Sequence, residues 1–182
     1  PPVSGHVRIA GEDIVGADGE ALERIRRRFG VMYQSGALFG SMTLLENVRL
    51  PIEVYTDLPD DAMTLLARMK LGLVGLDQFT GHLPSEISGG MQKRAGIARA
   101  MALDPSILFL DEPSSGLDPI TSATLDATVR RLAEGLGVTF VIVTHDLPSV
   151  FASIDRVVLV DKKARGIIAE GDPREPRDSS PD

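Results

Sequence analysis

Four short stretches carry side chains suited to chemistry on an anion. Ser88-Gly89-Gly90-Met91-Gln92-Lys93-Arg94 sets an N-cap hydroxyl and two glycines in front of a helical run to about Ala102. The first N–H groups of such a helix lack internal partners and carry the positive end of its dipole. That end receives a phosphate readily, and Gly89 and Gly90 let a partner approach the backbone closely. Downstream, Ile107-Leu108-Phe109-Leu110-Asp111-Glu112-Pro113 is an apolar run ending in adjacent carboxylates. Consecutive apolar residues predict a strand buried on both faces, as in parallel α/β sheets. Ligands on such sheets bind beyond the carboxyl ends of strands, where Asp111 and Glu112 fall. Residues 29–34 read as a strand ending at Gln34. Residues 138–144 read as a buried β-branched strand that delivers His145 and Asp146. Taken singly, an ordinary helix cap, a solvated strand end or a structural histidine fits each stretch equally well.

The elements that must hold these residues follow from periodicity and turn chemistry. Residues 3–14 alternate around Val7 and Ile9 and predict a short strand and turn. Residues 18–28 predict a helix ending in Arg24, Arg26, Arg27 and Arg28, cations suited to a helix C-terminus or to a solvated face. Leu44, Leu45, Val48 and Ile52 share one helical face. Residues 59–73 predict a helix opened by Pro59, Asp60 and Asp61, with Ala62, Leu65, Leu66, Met69 and Leu73 as its apolar stripe and Met63 and Met69 as core filler. A helix over 120–134 stops near Gly135-Leu136-Gly137, and 156–161 with 166–170 forms a closing hairpin. Residues 171–182, with three prolines and two serines among charges, are expected to be a disordered tail.

Composition narrows the classes. The chain has 182 residues, 43% hydrophobic and 25% charged, which suits one globular domain with a core. A net charge of −7 argues against a nucleic-acid partner, which would call for a basic surface. There is no cysteine, hence no disulfide frame and no thiolate zinc site. No stretch reaches the roughly 18 apolar residues of a membrane span. With no signal peptide visible, the cytoplasm is the simplest compartment. The chain opens on Pro1-Pro2 without Met, so it is expected to begin mid-protein.

The Ser-Gly-Gly helix start and the Asp-Glu strand end, in this order and spacing, resemble the signature motif and Walker B strand of the ATP-binding-cassette (ABC) ATPases. Gln34 then resembles the Q-loop glutamine, Ser114-Ser115-Gly116-Leu117-Asp118-Pro119 the D-loop, and His145 the switch histidine. No Gly-x-x-x-x-Gly-Lys-Ser/Thr phosphate loop occurs in the chain. The resemblance therefore covers the later two-thirds of the family domain. It implies a P-loop NTPase-like α/β fold with a mostly parallel sheet, lacking the Walker A strand and loop. Residues 1–170 would form the partial ATPase domain, with a helical subdomain over about 38–100 inserted in it. Within the family, Gln34-Ser35-Gly36-Ala37-Leu38-Phe39 and Met91 in the signature resemble the ATPase subunits of Mla-type phospholipid transporters and their toluene-tolerance relatives.

What the resemblance implies is ATP hydrolysis coupled to transport. Glu112 would orient or deprotonate the attacking water. Asp111 would hold Mg²⁺, largely through water, and Gln34 would reach the metal and the water. His145 would contact the γ-phosphate. Ser88, Gly89, Gly90 and Gln92 would close over the ATP of a second copy, and Asp118 would couple the two sites. The implied partners are a second ATPase subunit and integral membrane permease subunits, on the inner face of the cytoplasmic membrane. Leu38, Phe39, Met42 and Leu44 would crowd a permease-docking loop. Without the phosphate loop, the 182 residues alone are expected to grip ATP weakly. Two rival readings are an inactive interaction module and a soluble ABC ATPase of DNA repair or translation.

Overall fold

The computed structural model describes residues 4–175. Strands β1 (Arg8–Ile9) and β2 (Glu12–Asp13) form a small antiparallel hairpin, followed by α1 (Gly19–Arg26). Part of the arginine cluster is paired locally: Arg24 and Arg28 both contact Glu12 at 2.8 Å, and Arg27 lies over the Tyr55 ring.

The centre is a three-stranded parallel sheet in the order β3 (Phe29–Met32), β4 (Ile107–Asp111), β5 (Thr139–Val143). Its register sets Met32 beside Leu110 and Asp111 beside Val143, so all three strands end at one rim. Between β3 and β4 the chain builds α2 (Leu44–Tyr55), α3 (Asp60–Leu73) and α4 (Gly89–Ala100). After β4 come α5 (Pro119–Leu136), β5 and α6 (Leu147–Ser153), then an antiparallel hairpin of β6 (Val157–Asp161) and β7 (Gly166–Gly171).

One hydrophobic cluster joins helices and sheet, with Leu44, Val48 and Ile52 of α2, Leu71 of α3, Ile97 of α4, Leu108 and Leu110 of β4, and Leu125 of α5. Helix α4 reaches the sheet because Gly30 has no side chain: a Cβ there would sit 2.0 Å from the Ala100 carbonyl oxygen. Helix α2 begins with a reciprocal capping box, Thr43 Oγ1 accepting from Glu46 N–H while Glu46 accepts from Thr43 N–H.

Three expectations change on contact with the structure. In α3, Leu65 and Met69 are 60% and 57% exposed, and the buried face is Ala67, Lys70 and Leu71. Lys70 is buried because its ammonium reaches Asp104 while its stem lies along the core. In β4 only Leu108 and Leu110 are fully buried; Phe109 packs edge-on against Phe29 on the other face. In β5 Val141 and Val143 are open to solvent: with Thr139 they share the exposed face of the strand, while Phe140 and Ile142 on the other face pack on the core cluster. Of the expected tail, Gly171 closes β7 and Arg174 returns to Asp172 at 2.9 Å; residues 176–182 lie outside the described residues.

Candidate active site

Every strand of the parallel sheet delivers a polar side chain to the same rim. Glu112, just past β4, adopts φ +46, a left-handed conformation that is unfavourable for a residue with a Cβ. Its N–H donates to the Val143 carbonyl at 2.8 Å, and its own carbonyl accepts from Ser115 N–H at 3.1 Å. The backbone is thereby locked, and the carboxylate turns toward the end of β5. There Oε1 lies 2.7 Å from His145 Nδ1, and Oε2 accepts from Thr144 Oγ1 at 3.5 Å. The two partners differ in access: the Glu112 side chain is 19% exposed and that of His145 is 84% exposed. The hydrogen bond and charge of Glu112, with Asp146 adding to them, raise the His145 pKa and favour its imidazolium.

Asp111 and Gln34 open on the neighbouring cleft, about 630 Å³ in volume, which Tyr33, Gly89, Lys93 and Ser115 also line. The Gln34 amide donates to Ser115 Oγ at 3.2 Å, which leaves its carbonyl oxygen for another partner. Among the described residues no group of three or more His, Cys, Asp or Glu converges on one point. One carboxylate and one amide oxygen nonetheless suit Mg²⁺, which keeps several waters and binds through one or two carboxylates plus phosphate.

Lys93 is the residue that motif reading passes over. It is 8% exposed, and its ammonium donates to the main-chain carbonyl of Gln34 and, at 3.5 Å, to that of Glu112. It thus ties the ends of β3 and β4 together from α4. Burial lowers its pKa, opposed by the charges of Asp111 and Glu112. The available signal was its place one turn after Gly89 on the signature helix.

The signature residues divide. Ser88 caps α4, accepting from Met91 N–H at 3.3 Å, and Gly89 is open at the surface. Gly90 is buried instead: a Cβ there would meet Thr121 Cγ2 at 2.3 Å, so its missing side chain admits α5 rather than an outside partner. Gln92 spends its amide N–H groups on the carbonyls of Pro84 at 2.9 Å and Ile87 at 3.4 Å, bracing the loop before the helix. Asp118 caps α5 through Ile120 and Thr121 N–H, both at 3.1 Å, and the Thr121 hydroxyl, followed by these N–H groups, lowers its pKa.

The loop after β3 is pinned by Asn47, fully buried in α2. Its side chain accepts from Phe39 N–H at 2.7 Å and donates to the carbonyls of Phe39, Met42 and Thr43 at 3.0–3.1 Å. Phe39 is 45% exposed beneath the Arg99 guanidinium, whereas Leu44 lies wholly in the core and cannot join a surface cluster.

Comparison with known proteins gives the family of the chain. The ABC transporter family matches residues 1–115. The intermembrane phospholipid transport system ATP-binding protein MlaF of Haemophilus influenzae is 39% identical over 171 residues, 93% of this chain and 64% of that protein. MlaF of Escherichia coli K12 is 40% identical over 180 residues, 95% of this chain and 67% of that protein. A probable ribonucleotide transport ATP-binding protein, mkl, of Mycobacterium tuberculosis is 43% identical over 146 residues, 80% of this chain and 41% of that protein. The chain thus spans about two thirds of the length of the MlaF relatives. Among solved structures, a dimeric ATP-binding cassette in a post-hydrolysis state bound to ADP and Pi aligns with TM-score 0.81 and 30% identity, covering 96% of this chain and 75% of that one. The cbiO1 cassette of Clostridium perfringens aligns with TM-score 0.84 and 28% identity, covering 94% and 67%. With the parallel sheet, the signature helix and the Asp-Glu strand end all in place, the chain belongs to the ABC transporter family of ATP-binding proteins.

Proposed function

We propose that the whole protein hydrolyses ATP as the ATPase subunit of an ABC transporter that moves phospholipid between membranes. The observation that supports this best is the Glu112 carboxylate, fixed by its backbone at the sheet rim and paired with His145 at 2.7 Å, beside Asp111 and Gln34. The phospholipid assignment follows the names of the MlaF relatives.

In this reading Glu112 orients the attacking water and accepts its proton. His145, held toward its imidazolium form, faces the γ-phosphate and offsets charge there. Asp111 and the side-chain carbonyl oxygen of Gln34 would hold Mg²⁺, which would supply neutralisation of phosphate charge. Lys93 keeps the Gln34 and Glu112 main chains at a fixed separation. The chemistry is then one of positioning and charge stabilisation rather than covalent catalysis. Ser88, Gly89 and Gly90, through the cap, the open backbone and the buried support respectively, present the α4 terminus to the ATP of a second copy. Gln92 braces that terminus, and Asp118 fixes the segment coupling the two sites. Residues 1–170 act as the ATPase unit, with 38–100 as its helical part. The exposed Phe39 loop meets an integral membrane permease at the inner face of the cytoplasmic membrane.

Replacement of Glu112 by Gln in the full-length protein tests the reading. Turnover is expected to fall about 10²–10⁴-fold, the range of a positioned general base, with ATP binding retained. Phosphate release within about threefold of the parent would overturn the role given to Glu112.

A further inference from the structure

Behind the His145 loop, between α5 and α6, lies a cavity of about 470 Å³ that takes no part in the chemistry above. Two carboxylates face each other on its wall across a single hydroxyl. Ser149 Oγ lies 2.7 Å from Asp126 Oδ2 and 3.0 Å from Asp146 Oδ2. Ser114 Oγ lies 3.3 Å from the same Asp146 oxygen. There are three oxygen–oxygen contacts, and the two hydroxyls bring one proton each. With both carboxylates ionised, one contact would oppose lone pair to lone pair, and two negative charges would converge on one serine.

We propose that Asp126 carries the missing proton and is a positioning residue for the His145 loop. Asp126 O–H donates to Ser149 Oγ, Ser149 O–H donates to Asp146, and Asp146 accepts from Ser114 as well. Every contact then has its proton. Ser114 stands two residues past Glu112, and Asp146 directly follows His145. One carboxylate therefore tethers both chain segments that bring Glu112 and His145 together, and Asp126 anchors it from the long helix α5.

The surroundings raise the cost of ionising Asp126. Burial raises its pKa and the charge of Asp146 adds to the rise, against the Ser149 hydrogen bond. Helix α6 brings no charged side chain. Arg130, the cation lining the cavity, donates instead to Glu134 at 2.9 Å and to the Ala152 carbonyl at 3.4 Å.

The test compares Asp126→Asn, whose amide reproduces the donor, with Asp126→Ala in the full-length protein. Infrared spectra at neutral pH are expected to show a carboxylic-acid carbonyl band in the parent that Asp126→Asn removes. Absence of that band from the parent overturns the protonated acid. Nitrogen-15 shifts of the His145 ring should report its bond to Glu112 intact in the Asn variant and loosened in the Ala variant. Loss in both variants, or in neither, overturns the positioning role. Should the Ala variant not fold, loss of the His145 signature in the Asn variant still overturns it. The kinetic arm rests on the ATPase reading. Turnover should stay within about twofold for Asn and drop about tenfold or more for Ala, with KM for ATP unchanged. A parent without ATPase activity would sink that reading, while the infrared and nitrogen-15 results would still decide the proton and the positioning.

Discussion

The two flanks of β4 are built to different standards. On the β3 side the backbones approach closely: Gly30 lies against the Ala100 carbonyl, Gly96 against the loop at Gly36, and Lys93 and Asn47 are buried polar anchors, although Val31 and Tyr33 remain exposed. On the β5 side Val143 is 62% exposed, Val141 41%, and His145 stands almost free in solvent. Glu112 belongs to both flanks. Its backbone is locked between β4 and β5, while its carboxylate reaches the exposed imidazole. The site thus has one rigid wall and one yielding wall. Stability and chemistry are divided between them: substitutions on the β3 side should cost folding, and those on the β5 side should change ionisation.

The largest expected effect breaks the rigid wall. In Gly30→Ala the new methyl group meets backbone, which cannot rotate away as a side chain tip would. The cost is expected at the top of the overpacking range, about 3 kcal/mol or more. Chemical denaturation of the full-length protein measures it. A change below about 1 kcal/mol would mean that α4 slides freely on β3 and that the contrast between flanks is overstated.

A smaller effect is expected from Asn47→Leu. The substitution keeps the volume but strands Phe39 N–H and the Met42 carbonyl, while the carbonyls of Phe39 and Thr43 keep the main-chain N–H groups of Met42 and Asn47. Each buried orphan costs about 1–3 kcal/mol, less whatever water recovers at a loop, so a net loss near 2 kcal/mol is expected. Hydrogen exchange should rise at Phe39 first. Unchanged exchange at Phe39 with lowered global stability would place the role of Asn47 in the core rather than in the loop.

How far the sequence could be read follows the same division. The strand ends at Gln34, Asp111 and His145 were legible because each ends an apolar run with a polar side chain, and parallel strands must finish on one rim. The phase of α3 was not legible. Apolar residues stand at most positions from Ala62 to Leu73, so two stripes fit the period and only tertiary packing chooses Ala67 and Leu71 over Leu65 and Met69. The exposure of β5 was hidden as well, since a β-branched run reads as buried whether or not both faces of the sheet are covered. Asn47 and Lys93 escaped because periodicity counts apolar residues and these are buried polar ones. The pairing of Asp126 with Ser149 spans 23 residues and has no local signature at all.

The smallest expected effect lies on the yielding wall and sharpens the comparison most. The His145 pKa is raised chiefly by its hydrogen bond to Glu112, then by the charge of Glu112 and of Asp146. A group whose pKa is higher folded than unfolded adds stability below its unfolded value, and that stability disappears as pH rises through the folded value. The pair should therefore help most below the ordinary histidine value and fade as pH rises through the raised one. With His145 so exposed, solvent screens the pair and its effect on global unfolding should be slight. The ionisation itself is the sensitive readout. In Glu112→Gln the main cause is gone, so the His145 titration midpoint, followed by proton NMR without nucleotide, should fall toward the ordinary histidine value while the melting temperature barely moves. A midpoint that stays where it was would assign the raised value to Asp146 and detach His145 from Glu112. A large fall in melting temperature would show that the β5 flank bears structural load after all, and the division between the two walls would fail.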